Sequence, residues 1–366
     1  MSNLSDLLGG TISSLNDLGG ATFSSSDPSY STNPSATGEL WVNTTSGETY
    51  ICTDATAGAN IWTNVGDGTG MVKPPQWYGE RGVWGGGSAS SGDSNVIDYV
   101  TIATTGNATD FGDLTLSRNT LSSCSNEARG IFAGTNSYGN TIDYITISTT
   151  GNAIDFGDLS AGKSAPAACS NGVRGVIGGG RTGGSFYSAT IDYVTISTTA
   201  NSDSFGNLTI ARSGLASCAN DTRGLFAGGV PSSGQSDVID YITIATTSSA
   251  TDFGNLVRAK NDIGGLSSAT RGVFFGGDTT APTYETDDIE YVTIASTGNA
   301  TDFGNLTDVG GRASGSSNTT RGVMAGFYRS GRVNVIEKIT IASTGNATDF
   351  GDLTVSRYEM SACSGG

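Results

Sequence analysis

Short apolar runs alternate with clusters of glycine, serine, threonine and asparagine along most of the chain, and one order of elements keeps returning. It reads Arg-Gly, a short apolar stretch, glycines, a variable segment, Ile-Asp or Ile-Glu, a β-rich run, and then Asp-Phe-Gly-Asp/Asn-Leu. The opening pairs start at Arg81, Arg129, Arg174, Arg223, Arg271 and Arg321, stepping by 48, 45, 49, 48 and 50 residues. That period excludes the shorter solenoid repeats and leaves room for four strands per unit. In the second unit the pattern predicts strand A over Leu121 to Ser125, strand B over Gly130 to Ala133, strand C over Ile142 to Ser148 and strand D around Phe156 to Leu159. Turn residues separate them. A glycine recurs five residues after each arginine (Gly86, Gly134, Gly179, Gly228, Gly276, Gly326), where strand B must bend or pass close to other backbone.

The two ends of the repeat are complementary. Ahead of Arg81 stands Pro74-Pro75-Gln76-Trp77-Tyr78-Gly79 and no strand A. After the last Asp-Phe-Gly-Asp-Leu the chain continues from Thr354 through Arg357 to Cys363, matching Thr115 through Arg118 to Cys124. A carboxy-terminal strand therefore completes the first unit and removes a free sheet edge. The predicted architecture is all-β, a six-bladed β-propeller over residues 81–366. It is preceded by an extended segment (1–36), a small β-meander (37–70) and a linker (71–80).

These units resemble those of the kelch family of β-propellers. There too a basic residue precedes a hydrophobic inner strand that ends in glycines, and a tyrosine lies in the third strand. The resemblance implies architecture rather than activity. Here phenylalanine of Asp-Phe-Gly replaces the family's late tryptophan. The tyrosine at Tyr99, Tyr144, Tyr193, Tyr241 and Tyr291 becomes Lys338 in the last unit.

Composition narrows the function. The chain has 55 glycines among 366 residues, a net charge of -16 and no histidine. Excess negative charge disfavours nucleic acid and anionic membranes, and the missing histidine removes the usual triads, dyads and most catalytic zinc sites. No cofactor, no metal and no enzymatic activity are expected. A glycan-cleaving carboxylate pair would have to be asymmetric, whereas the acids recur in every unit. Asn107, Asp110 and Asp113 supply oxygen ligands but match no calcium-loop signature. Five cysteines, an odd number, are expected as reduced packing residues. Asp6 stands where a secretory signal is basic and no apolar stretch spans a bilayer, so a soluble chain is expected.

Residues 1–36 are rich in serine, glycine and asparagine, and cannot bury a core alone. Trp41, Tyr50 and Trp62 are the expected core of the meander. The tether, the tryptophan-flanked meander and units such as Thr-Gly-Asn-Ala-Thr-Asp-Phe-Gly together resemble fibre and tail proteins of marine tailed bacteriophages. That resemblance implies a virion protein made in the host cytoplasm and present in several copies or as a homo-oligomer. Residues 1–70 would attach it to other virion proteins, and the repeats would be displayed for attachment to a host-surface glycan or protein. The alternative is a purely structural head-fibre, decoration or tail-connector protein.

The strand order places the B–C and D–A connections on one face and the A–B and C–D connections on the other. The C–D turns are near copies, while the B–C loops vary, so recognition belongs on the B–C face. Its candidate binding residues are Tyr138, Arg181, Phe186, Tyr187, Tyr284, Phe327, Tyr328, Arg329 and Arg332. Two basic rings accompany them. The Arg-Gly arginines are expected to pair with Asp110, Asp155, Asp252, Asp302 and Asp349. The second ring is Arg118, Lys163, Arg212, Lys260 and Arg357, with Gly310 in the fifth place. It either lines a central anion or sugar site or pairs with Asp98, Asp143, Asp192, Asp240, Glu290 and Glu337.

Overall fold

The computed structural model describes residues 20–65, 76–183, 186–280 and 285–366. Residues 1–19 of the expected tether, residues 66–75 and the candidate Tyr284 lie outside that set. The described residues are all-β, with no helix, and the chain divides into two units, Met1–Pro74 and Pro75–Gly366.

The first unit is one four-stranded sheet in the order β1 (Ala21–Ser24), β2 (Leu40–Asn43), β3 (Thr49–Asp54), β4 (Ile61–Asn64). The last three strands form the antiparallel meander. Strand β1 pairs parallel with β2 and comes from within the segment read as an extended tether. Tyr50, Cys52 and Trp62 are buried, and Trp41 packs edge-on against Trp62 with ring centroids 5.9 Å apart.

Among the described residues the second unit shows six four-stranded antiparallel sheets. In the second repeat the strands are Ser122–Ser125, Arg129–Ala133, Thr141–Thr146 and Ile154–Asp158. The sheet of the first repeat is ordered Ser361–Gly365, Arg81–Gly85, Val96–Thr101, Thr109–Asp113, so its first strand comes from the carboxy-terminal end, with Cys363 opposite Val83. Apolar side chains from consecutive sheets mesh. Val83, Ile97 and Phe111 meet Phe132, Ile145 and Ile147, while Trp84 and Val100 meet Val323, Ile336 and Phe350 of the last sheet. The core thus lies between sheets, as expected where both faces of each are apolar.

Polar contacts tie each sheet to the next. Hydroxyls on the first strands donate to carbonyls next door: Ser125 to Ser364 (2.8 Å), Ser364 to Ser317 (2.6 Å), Ser317 to Ser267 (2.7 Å) and Ser267 to Ala219 (2.7 Å). One turn earlier a second set joins backbone to backbone. Ala165 N–H donates to Thr120 O, Gly214 to Ala165, Asp262 to Gly214, Arg312 to Asp262, Glu359 to Arg312, and Thr120 N–H to Glu359 O, each at 2.6–3.1 Å. The sixth bond returns to the residue from which the first set out.

Two glycine positions follow from this contact. Gly86 and its five counterparts have φ between 61° and 84°. A Cβ on Gly86 would stand 2.7 Å from Arg118 O, so the bend after strand B is pressed against the following D–A segment. The glycine of Asp-Phe-Gly has φ of 144° at Gly112, where a Cβ would lie 2.5 Å from Gly151 O in the neighbouring C–D turn. That turn is zipped on: Gly151 N–H donates to Phe111 O, and Asn152 Oδ1 accepts from Asp113 N–H (3.1 Å). The same bond joins Asn107 to Asp352 across the last and first sheets. The C–D turns are near copies because each is consumed in holding its neighbour.

Candidate ligand-binding face

The Arg-Gly arginines do not pair with the strand D acids. Across strands B and C, Arg81 stands opposite Thr101 and Val83 opposite Tyr99, which places the guanidinium over the tyrosine ring. The distances to the ring centroids are 4.6 Å at Tyr99, 4.7 Å at Tyr144 and Tyr193, 4.6 Å at Tyr241 and 4.4 Å at Tyr291. Each guanidinium then donates to a carbonyl of the next sheet, Arg81 to Ile147 and Arg321 to Ile102 and Ala103. The strand D acids, Asp110 among them, point to solvent.

The second basic ring is also spoken for. Arg118 pairs with Asp143 (2.8 Å), Lys163 with Asp192 (3.0 Å), Arg212 with Asp240 (3.1 Å), Lys260 with Glu290 (2.5 Å) and Arg357 with Asp98 (2.9 Å), all essentially without solvent. Burial lowers the Arg118, Lys163, Arg212 and Arg357 affinities for their protons, and the facing carboxylates pull them back. These five are inter-sheet struts, not the lining of a central ligand site.

At the fifth place, where Gly310 brings no side chain, Arg329 reaches in from the B–C loop and pairs with buried Glu337. A Cβ on Gly310 would come within 3.2 Å of Arg329 Cγ and of Phe327. Arg329 therefore belongs to the struts rather than to the recognition surface. Phe327 is likewise buried, against Phe275 at 6.4 Å, and is not a surface aromatic.

The remaining candidates do lie on the B–C side. Arg181–Thr182 and Phe186–Tyr187 form a small hairpin. Arg181 stacks over Tyr187 at 4.9 Å and donates to its hydroxyl, while Phe186 is 70% exposed. Tyr138 is 36% exposed in a left-handed turn of φ 59°. Arg332 donates to Ser88 O and stacks over Tyr358, whose ring meets Tyr328 edge-on at 5.1 Å.

One further position, at which only Arg312, near Gly310, stood out in the sequence, carries the six backbone hydrogen bonds. Thr120, Ala165, Gly214, Asp262, Arg312 and Glu359 all have φ between 50° and 64° and together line a cavity of about 80 Å³. Half of this rim is small; the other half carries charge. Arg312 stands 3.8 Å from Asp262, 3.7 Å from Asp278 and 3.7 Å from Glu359, and its guanidinium lies 5.2 Å and 5.6 Å from the Tyr328 and Tyr358 ring centres. Burial pushes Asp278 up to about 6, with Asp262 and Glu285 adding to it and Arg312 opposing. Burial takes Glu359 to about 7, Arg312 opposing and Asp262, Asp93 and Asp278 adding. Burial alone would lower Arg312; the three carboxylates hold it above its ordinary value. The signal was present as non-repetition: six residues after each Asp/Asn-Leu leucine stand Thr, Ala, Gly, Asp, Arg and Glu. Among the described residues no group of acids, cysteines or histidines is arranged to hold a metal ion. The cysteines are free and buried, and burial pushes the Cys124 thiol up to about 12.

The raised acids make a sign-definite prediction. A carboxyl whose folded value lies above its unfolded one favours the fold below the unfolded value, and loses that contribution as pH rises through the folded value. Asp278, raised from 3.8 to about 6, should therefore weigh against the fold at neutral and alkaline pH. Asp278→Asn is expected to melt about 2–4 °C above the parent near pH 8, of the order of 1 kcal/mol, and level with it near pH 4. Thermal melts at both pH values check this; a variant less stable than the parent at the higher pH contradicts it.

No protein-family model matches this chain, and no curated protein does so either.

Proposed function

We propose that the repeats form a closed, six-bladed, kelch-like β-propeller, and that the protein is a non-enzymatic attachment module of a tailed-phage virion, held by residues 1–70 and binding the host surface through its B–C face. Closure is supported by the pairing of Ser361–Gly365 with Arg81–Gly85 and by the six backbone hydrogen bonds that come back to Thr120. The observation that carries the binding reading is the contrast between the two faces. C–D turns are alike and tied up in inter-sheet bonds, whereas the B–C side presents the Arg181–Tyr187 hairpin and the charged, aromatic half-rim, neither of which repeats. Sites placed on varied loops over a rigid scaffold are the usual form of a recognition surface. The virion assignment rests on the resemblance of the repeat and amino-terminal sequences alone.

Adsorption of purified, labelled protein to bacterial cells tests the reading. Tyr187→Ala combined with Tyr328→Ala is expected to abolish saturable adsorption while leaving the thermal melt within a few degrees of the parent. Adsorption that is undiminished in this variant removes the B–C face from recognition and favours the structural alternative.

A further inference from the structure

Resting on that reading, we infer that the charged half of the axial rim is a subsite for a neutral sugar, which presents two adjacent hydroxyls to Arg312, Asp278 and Glu359 with its ring edge against Tyr328 and Tyr358. The first support is a contrast in geometry. The struts elsewhere are closed pairs at hydrogen-bond distance, as with Arg118 and Asp143 at 2.8 Å, and are sealed from solvent. Around Arg312 the opposite charges are held at 3.7–3.8 Å, beyond the ~3.2 Å reach of an N–H···O bond; its Nε has no hydrogen-bond partner, as is also true of Arg118 and Arg212, so it is the open spacing of the charges that sets this position apart. Hydrogen-bonding capacity is left open there.

The second support is what can fill that capacity. A guanidinium only donates and a carboxylate only accepts, so a ligand that satisfies both must donate and accept within a few ångströms, as a pair of neighbouring hydroxyls does. Three carboxylates facing one arginine repel a carboxylate or phosphate ligand, and a cation, though drawn by the acids, would leave the Arg312 donors without an acceptor. Neutral polyols escape both objections. Size agrees with entry of a ring edge rather than a whole sugar: the cavity is about 80 Å³, and Thr120, Ala165 and Gly214 in its lining bring small side chains or none. The half-buried Tyr328 and Tyr358 lie outside the cavity lining, against the Arg312 guanidinium, and set an apolar surface next to the polar groups, the mixture that favours carbohydrate.

Saturation-transfer NMR on the full chain tests this, using the methyl glycosides of mannose, galactose and glucose as neutral probes and N-acetylneuraminic acid as the anionic one. Transfer to at least one neutral glycoside is expected, reduced tenfold or more in affinity by Asp278→Asn and by Arg312→Lys, with both variants folded by thermal melt and the anionic sugar giving none. Absence of transfer to every neutral probe overturns the inference, as does transfer that survives both substitutions or a preference for the anionic sugar. Its failure is separable from that of the attachment reading. If cells adsorb the protein and Asp278→Asn makes no difference, only the axial subsite falls; if cells adsorb none of it, the attachment reading falls.

Discussion

Replacing Arg329 with alanine is expected to cost about 3–5 kcal/mol, read as a lowered urea midpoint, and adding Gly310→Lys to the same chain should recover most of it. Glu337 is fully buried, and after the loss of Arg329 it would keep only the Thr307 amide and hydroxyl as partners. An ionised carboxylate left in that position is far more costly than the intact pair was stabilising. Gly310 occupies the place from which Lys260 and Arg357 reach the equivalent acids, so a lysine there can supply the missing cation once Arg329 has vacated the space. In the parent the same Gly310→Lys should be destabilising, because its side chain would collide with Arg329 and add a second cation to one carboxylate. Destabilisation of similar size by the two single changes, with no recovery in the double variant, would sink the account.

Removing residues 354–366 should have the larger effect. The deletion takes Arg357 from Asp98, Glu359 from the backbone hydrogen-bond ring and Ser361–Gly365 from beside Arg81–Gly85. A buried acid is left without its cation, and an apolar inner strand gains a free edge, the situation that leads to intermolecular strand pairing. The truncated chain is expected to aggregate on expression and to lack a cooperative melt; a soluble truncation melting with the parent contradicts the proposed closure.

Much of the strand order was legible because turn residues punctuate a period of nearly constant length. The four strands of the second unit fall within two residues of their expected starts, and the likeness of Thr354–Cys363 to Thr115–Cys124 located the partner of strand Arg81–Gly85. Side-chain partners were less legible. The expected pairing of Arg81 with Asp110 fails because strand Val96–Thr101 lies between their two strands: Tyr99 takes the place beneath the guanidinium, and Asp110 is exposed. Phe327 and Arg329 look like loop residues, and only the volume left by Gly310 draws them inside. Arg312 stood out only as a basic residue near Gly310, and Asp262 and Glu359 not at all, because these positions share no residue type from one unit to the next.

The way the chain enters the repeats bears on how it would carry load. Arg81, where the chain enters the first strand of the repeats, sits opposite Gly365, so the first and the last strand of the repeats lie side by side. Tension arriving from the amino-terminal side passes into Arg81–Gly85, a strand flanked on both sides by Ser361–Gly365 and Val96–Thr101, and is resisted by two ladders sheared in parallel. Ser361–Gly365 is the outer strand of that sheet, so a pull on Arg81 loads the ladders on both sides of its strand at once instead of opening one of them bond by bond.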